Sequence, residues 1–129
     1  MTFPEDLKYS KEHEWVRVSG NVATVGISDY AQDQLGEIVF VELPDEGEEF
    51  AKDDAFGVVE SVKSVNDVYA PVSGRVVELN DPVVDGPEIL NEDPYGEGWL
   101  IKIEISNPAE MKELMTAKQY EAYIKEESE

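Results

Sequence analysis

Apolar and polar positions alternate in short runs along most of the chain, a pattern that predicts strands joined by tight turns. Trp15-Val16-Arg17-Val18 and Val22-Ala23-Thr24-Val25-Gly26-Ile27 flank Ser19-Gly20-Asn21, which reads as a β-hairpin. Residues 1–12 ahead of it read as an extended leader. Ser28 can cap a short helix that runs through Leu35 and stops at Gly36, although Tyr30, Ala31 and Leu35 fit one helical face only loosely. Further strands are expected over 37–43, 56–62, 65–69, 75–79 and 99–105, where β-branched and aromatic residues concentrate. Pro44-Asp45-Glu46-Gly47, Pro71-Val72-Ser73-Gly74 and Asn80-Asp81-Pro82 are turns. Prolines and glycines crowd residues 80–98, which predicts a long loop with one helical turn near Glu88 to Asn91.

The C-terminal segment is patterned for helix. Asn107-Pro108-Ala109-Glu110 and Thr116-Ala117-Lys118-Gln119 both have the form of a capping box, so two short helices are expected over about 108–125, with a break near Thr116. Met111, Leu114 and Met115 form one apolar stripe, and Tyr120, Tyr123 and Ile124 form another. Docking on the sheet is expected of both, in preference to a methionine-rich ligand site. Lys125 to Glu129 should fray. A faint repeat relates 36–43 to 74–79, with Asp29 and Asp67 each seven residues upstream. It suggests two similar half-sheets joined by the hairpin of residues 56–74. The expected fold is mainly β with short helices, a pseudo-symmetric β-sandwich carrying a C-terminal helical segment.

Composition narrows the function. The 129 residues suit one domain with a modest core, and 41% hydrophobic content is too high for wholesale disorder. There are 30 acidic against 10 basic residues, a net charge of −20, which argues against nucleic acid and anionic membranes as partners and favours partners with basic surfaces. A halophilic source would also enrich acids, but eight lysines speak against that. Without cysteine, disulfides and thiolate metal sites are excluded, and the single His13 argues against a multi-histidine metal site or a Ser-His-Asp triad. No run approaches a membrane span, and the first residues lack the pattern of a signal or transit peptide, so a cytoplasmic protein is expected. A mitochondrial matrix location would apply only to a processed eukaryotic chain.

Against this acidic background one amine is isolated. Lys63 is the only basic residue between Lys52 and Arg75, and it stands where two β-branched strand segments meet, with Glu60 and Asp67 on either side. A lysine presented by two rigid strands is well placed for covalent modification. The segment Glu60-Ser61-Val62-Lys63-Ser64-Val65-Asn66-Asp67-Val68-Tyr69-Ala70-Pro71-Val72-Ser73-Gly74 resembles the lipoylation segment of the H-protein family of the glycine cleavage system. Leu7-Lys8-Tyr9, His13-Glu14-Trp15, Val25-Gly26-Ile27, Ala31-Gln32, Leu35-Gly36, Val39-Phe40-Val41, Leu43-Pro44, Pro94-Tyr95 and Gly98-Trp99 agree with the same family in the same order. The resemblance runs from about residue 7 to 124. Biotin carriers usually flank the lysine with methionines, and acyltransferase lipoyl domains typically read Asp-Lys-Ala, whereas here the neighbours are Val62 and Ser64.

The resemblance implies a lipoyl-domain-like barrel-sandwich hybrid, one carrier domain over 1–129, with lipoic acid in amide linkage to Lys63. It implies the P protein (glycine decarboxylase), the T protein (aminomethyltransferase) and the L protein (dihydrolipoamide dehydrogenase) as partners, together with the lipoate ligase or octanoyltransferase that modifies the lysine. The carrier itself is expected to be a monomer without catalytic residues. A loaded arm bears a cationic amine prone to losing its carbon to water, and a groove with carboxylates and a dry wall would protect it. Glu14 and Asp67 match acidic positions of the family, and Glu12 is a third, less typical candidate. Glu60 is a candidate for recognition by the ligase. His13 is expected to pack or hydrogen-bond, while Trp15, Tyr95 and Trp99 are expected in the core or a groove wall. Two other readings stay open here. One is a related carrier that relays lipoyl groups or handles sulfur, and the other is an acidic interaction domain with an ordinary surface lysine.

Overall fold

In the computed structural model, which describes residues 1–127, nine strands form two antiparallel sheets. The larger sheet has the order β1-β2-β3-β9-β8-β5, made of Lys8–Tyr9, Glu14–Ser19, Val22–Ile27, Ile101–Ile105, Gly74–Leu79 and Glu49–Phe50. The smaller has the order β4-β6-β7, made of Ile38–Glu42, Ala55–Ser61 and Val65–Tyr69. Between the sheets lies one apolar cluster. Val25, Val76, Ile101 and Ile103 enter it from the larger sheet, and Val41, Val59 and Val68 from the smaller. Strands with this alternation bury one face each, so each register places a β-branched residue against the core.

Most expected elements form close to where the pattern sets them. Helix α1 spans Asp29–Leu35, and the Ser28 hydroxyl accepts the Ala31 N–H at 3.1 Å as its cap. Four elements depart from expectation. The leader carries β1, paired with β2, because Leu7 and Tyr9 bury fully in a cluster with Trp15 and Tyr120. β5 pairs with β8 although its two residues carry no strand periodicity of their own. The loop 80–98 holds two helical turns, α2 Pro82–Asp85 and α3 Ile89–Glu92, each burying one side chain, Val83 or Leu90. The repeat-related segments β4 and β8 fall in different sheets of unequal size, and the hairpin carrying Lys63 lies wholly inside the smaller one, because β6 and β7 pair with each other.

At the C-terminus the first capping box does not form. The Glu110 carboxylate instead accepts the Ser73 N–H at 2.7 Å and the Ser73 hydroxyl at 2.8 Å, and Pro108–Glu113 is a 3₁₀ helix. The second box does form: Gln119 N–H donates to the Thr116 hydroxyl at 3.2 Å and Thr116 N–H to the Gln119 side-chain oxygen at 2.9 Å. Helix α4, Ala117–Glu127, follows. It keeps Lys125 to Glu127 helical where fraying was expected, while residues 128 and 129 of that expectation lie outside the described residues. Both stripes dock as expected, Leu114 with Val16 and Val72, and Tyr120 and Ile124 with Tyr9 and Trp15. Among the described residues no helix is long and apolar enough to cross a membrane.

Trp15 is fully buried opposite Gly26 in the β2–β3 register. A Cβ at Gly26 would come within 2.7 Å of the indole ring, so this glycine makes the room that the ring occupies. The indole N–H then reaches the Pro94 carbonyl at 2.9 Å. Gly26→Ala is expected to lower stability by about 1–3 kcal/mol through overpacking. Urea unfolding would register this as an earlier midpoint, and an unchanged midpoint would contradict the packing assigned to Trp15.

Candidate functional site

Ser61 ends β6 and Val65 begins β7, so three residues make the turn that carries Lys63. The buried Ser61 hydroxyl accepts the N–H groups of both Lys63 and Ser64 at 3.2 Å, and Ser61 N–H donates to the Ser64 carbonyl at 2.8 Å. Val62 N–H donates to the Glu37 carbonyl at 3.0 Å, tying the turn to the start of β4. The backbone is therefore fixed while the Lys63 side chain is exposed. Among the described residues no carboxylate forms an ion pair with it.

The lysine stem runs over Gly36, where a Cβ would stand 3.1 Å from Lys63 Cε. Gly36 has φ +81° and ψ −153°, a backbone state that side chains strongly disfavour. Asn91 of α3 holds this glycine. Its Nδ2 donates to the Gly36 carbonyl at 2.8 Å and to Gln32 at 2.9 Å, and its Oδ1 accepts the Ile38 N–H at 2.9 Å. One amide thus joins the end of α1 to the start of β4 beneath the lysine.

Beside this floor opens a cleft of about 410 Å³. Tyr30, Ala31, Gln34 and Leu35 of α1 form one wall, Asn66 to Tyr69 of β7 another, and Glu12 to Glu14 with Glu127 close the remaining side. The cleft gathers all three acids anticipated for the groove, Glu12, Glu14 and Asp67. Glu60 is absent from it. Val59 faces the cleft and Glu60, the next residue of β6, faces outward.

The three acids differ in setting. Glu12 and Asp67 are exposed, whereas Glu14 is only 2% exposed. The Glu14 carboxylate accepts the Ser10 hydroxyl and, at 3.2 Å, the Tyr69 N–H. Burial pushes its pKa up from 4.5 to about 7; those two hydrogen bonds oppose the shift, while the nearby charges of Glu12 and Asp53 add to it. Near neutral pH this carboxyl is close to half protonated. A cation brought against it would restore the ionised form, because opposite charge favours ionisation. The cleft is thus suited to a cationic group with an apolar stem, since Leu35, Ile27 and Val68 line it as well. Among the described residues no cluster of three or more side chains could hold a metal ion.

Tyr120 ties the α1 wall to the side formed by Glu12 to Glu14. Its hydroxyl lies 2.8 Å from His13 Nδ1 and 2.7 Å from Ser28 Oγ, and its ring stacks on Tyr9 at 4.6 Å. His13 has φ +72° and its carbonyl accepts the Ser28 N–H at 3.0 Å. His13 packs and hydrogen-bonds as expected, with its pKa lowered by burial against the opposing pull of Glu127 and Glu12.

The family model of the glycine cleavage H-protein matches residues 7–127. The chain belongs to the glycine cleavage H-protein family. It is 58% identical over 126 residues to a glycine cleavage system H protein of Carboxydothermus hydrogenoformans, covering 98% of this chain and 97% of that one. A relative of the same name from Symbiobacterium thermophilum is 59% identical over 123 residues, covering 95% and 96%. Among solved structures, the crystal structure of a glycine cleavage system H protein from Mycobacterium marinum superposes with a TM-score of 0.86 at 38% identity, covering 92% of this chain and 96% of that chain. The β-sandwich of this H-protein family member is therefore shared with a solved relative.

Trp15 is core, and neither it nor Tyr95 nor Trp99 lines the cleft. Sequence reasoning missed Gly36, Asn91, Ser10, Tyr120 and Glu127. The Leu35-Gly36 pair was visible as a helix stop, but the lysine lying over it was not. Glu127 reaches the cleft, and Tyr120 the His13 that lines it, from more than 100 residues along the chain, and no local pattern carries that information.

Glu14 gives the fold a pH dependence of definite sign. The folded carboxyl binds its proton more tightly than the unfolded one, so stability is fully present below about 4.5 and falls as pH rises toward about 7. The full shift corresponds to about 3 kcal/mol. In Glu14→Gln this fall is expected to disappear, as read from urea unfolding at stepped pH. An identical slope in both chains would contradict the burial of an ionisable Glu14.

Proposed function

We propose that this protein is a lipoyl carrier of the glycine cleavage system, with lipoic acid joined in amide linkage to Lys63 Nζ. The observation that carries this reading is the exposed Lys63, without an ion pair among the described residues, on a tied-down turn beside a cleft with a buried carboxylate. When bound, the lipoyl group would supply a disulfide able to accept the aminomethyl group of glycine on one sulfur at the P protein while the other becomes a thiol, and the dithiol left once the T protein has taken the group would be reoxidised by the L protein. The chain's own residues do the rest. The Ser61 hydroxyl fixes the turn, and the Gly36 backbone leaves room for the lysine stem. Glu14 offers a carboxylate that ionises against a cation, with Asp67 and Glu12 adding negative charge at the rim. Leu35 and Val68 keep water from the stem.

No side chain here is assigned a catalytic step, and the protein acts as a substrate of its partner enzymes. Glu60 is read as a contact for the enzyme that attaches the group. The relatives are bacterial, and we assign the protein to the cytoplasm on that basis. Their shared name favours glycine cleavage over lipoyl relay or sulfur handling.

Two measurements test this. After expression with lipoate, intact mass should show one acyl adduct on the unaltered chain and none on Lys63→Arg, and only the former should support glycine–bicarbonate exchange with P protein. Arginine keeps the charge but cannot form the amide, so equal exchange by both chains would refute attachment at Lys63. With the arm loaded, Glu14→Ala should shorten its lifetime in water by about tenfold, equivalent to ~1.4 kcal/mol. Unchanged hydrolysis would remove Glu14 from the holding role.

A further inference from the structure

His13 stands where the backbone is least comfortable. Its φ of +72° lies in the left-handed region, which few residues other than glycine adopt. Two backbone bonds hold it there: His13 N–H donates to the Ser10 carbonyl at 3.1 Å, and the His13 carbonyl accepts the Ser28 N–H at 3.0 Å. The ring is caged by Tyr30, Tyr120 and Tyr123, with centroids 5.1, 5.8 and 6.2 Å away. One edge meets the Tyr120 hydroxyl through Nδ1, and the other turns Nε2 toward the Glu127 carboxylate at 3.7 Å. Both His13 and Glu127 line the cleft. The hydrogen bonds fix where the imidazole proton sits. Ser28 is fully buried and its oxygen already accepts the Ala31 N–H, so among the described residues its one hydroxyl proton has the Tyr120 oxygen as acceptor. The Tyr120 proton is then left for His13 Nδ1. The opposite direction would strand the Ser28 proton without an acceptor at a site closed to water. Nδ1 is therefore the acceptor, and the neutral ring carries its proton on Nε2, on the side of Glu127.

We propose that His13 is a positioning residue for the cationic cargo of the arm, its Nε2–H holding the Glu127 carboxylate at the rim of the cleft. This role rests on the reading of Lys63 as the attachment point and of the cleft as the place where the loaded arm is held. Glu127 needs a holder. It stands at the end of α4 with its side chain 46% exposed, and ordering a free glutamate at the moment of binding costs rotamer freedom. A neutral donor suits the task better than a lysine or an arginine. It orients the carboxylate without cancelling its charge, so an arriving ammonium group meets Glu14 at the base of the cleft and Glu127 at the rim. Burial keeps His13 in that neutral form by lowering its pKa. At 3.7 Å the glutamate is held loosely, short of a direct hydrogen bond, and it can turn from the imidazole to a cation. Tyr123 adds a second contact to the same carboxylate. The strained backbone at residue 13 thus gains a purpose, because it sets the ring between the Tyr120 hydroxyl and Glu127.

The test uses the full chain carrying the lipoyl group, loaded with the aminomethyl group of glycine by P protein. In the unaltered carrier at neutral pH, nitrogen NMR of the His13 ring should show Nε2 protonated and Nδ1 unprotonated. A proton on Nδ1 would overturn the inference, and this reading needs no variant to fold. His13→Asn separates the two edges of the ring. Asparagine tolerates the positive φ, and its side-chain oxygen can replace Nδ1 as the acceptor for Tyr120, but it has no donor to set at the place of Nε2. The lifetime of the loaded arm in water should fall by about threefold in His13→Asn. Glu127→Gln should shorten it by a similar factor, and the double variant should shorten it no further, because the histidine acts through the glutamate. An unchanged lifetime in His13→Asn would overturn the inference. So would losses that multiply in the double variant, which would show the two residues acting apart. Failure of the unaltered chain to carry an acyl adduct at Lys63 would instead overturn the attachment reading beneath it.

Discussion

The Glu14 carboxylate belongs to β2 in the larger sheet, yet one of its oxygens accepts the Tyr69 N–H of β7 in the smaller. Its other oxygen takes the Ser10 hydroxyl, whose own oxygen accepts the Glu14 N–H at 3.0 Å. This one side chain therefore joins the leader and both sheets at the base of the cleft. Two neutral donors are a thin replacement for the water it has lost, and burial wins, pushing the carboxyl pKa up from 4.5 to about 7. On the proposed reading the ionised form has a use: a carboxylate that ionises fully only when a cation arrives distinguishes a loaded arm from an empty one without any moving part of the fold.

The rest of the site divides into rigid and mobile parts. Ser61 fixes the turn, Asn91 fixes Gly36 under the lysine, and Tyr120 ties the His13 loop to the start of α1. Each does so with a buried or half-buried hydrogen bond, the kind that holds geometry because leaving it unmade is expensive. Against this frame the Lys63 side chain is exposed and has no ion pair among the described residues. On the proposed reading, a carrier visited in turn by several enzymes needs that contrast, since a fixed turn gives each partner the same address while a free arm can enter different active sites.

The strands, the Ser28-capped helix and the position of Lys63 were legible because each rests on local rules of alternation, capping and turn chemistry. The gathering of Glu12, Glu14 and Asp67 in one cleft was legible only through the family resemblance, since nothing local brings residue 14 to residue 67. What stayed hidden depends on long-range packing. β5 is too short to show a period, and the Asn107 box fails because Glu110 finds a better partner in Ser73. Tyr120 looked like one more apolar residue on a helical stripe, and its hydroxyl gains meaning only when α4 docks over the larger sheet. The neutral shift of Glu14 was equally invisible, because a sequence shows that a residue is acidic but not how far it lies from water.

The most direct test of this account is the titration of the Glu14 carboxyl carbon by NMR, in the carrier before and after the cationic cargo is placed on its arm. Midpoints near 7 for the empty carrier and well below that for the loaded one are the predicted pair. A single midpoint, the same in both, would mean that the loaded arm does not lie against Glu14, and the cleft would lose its function.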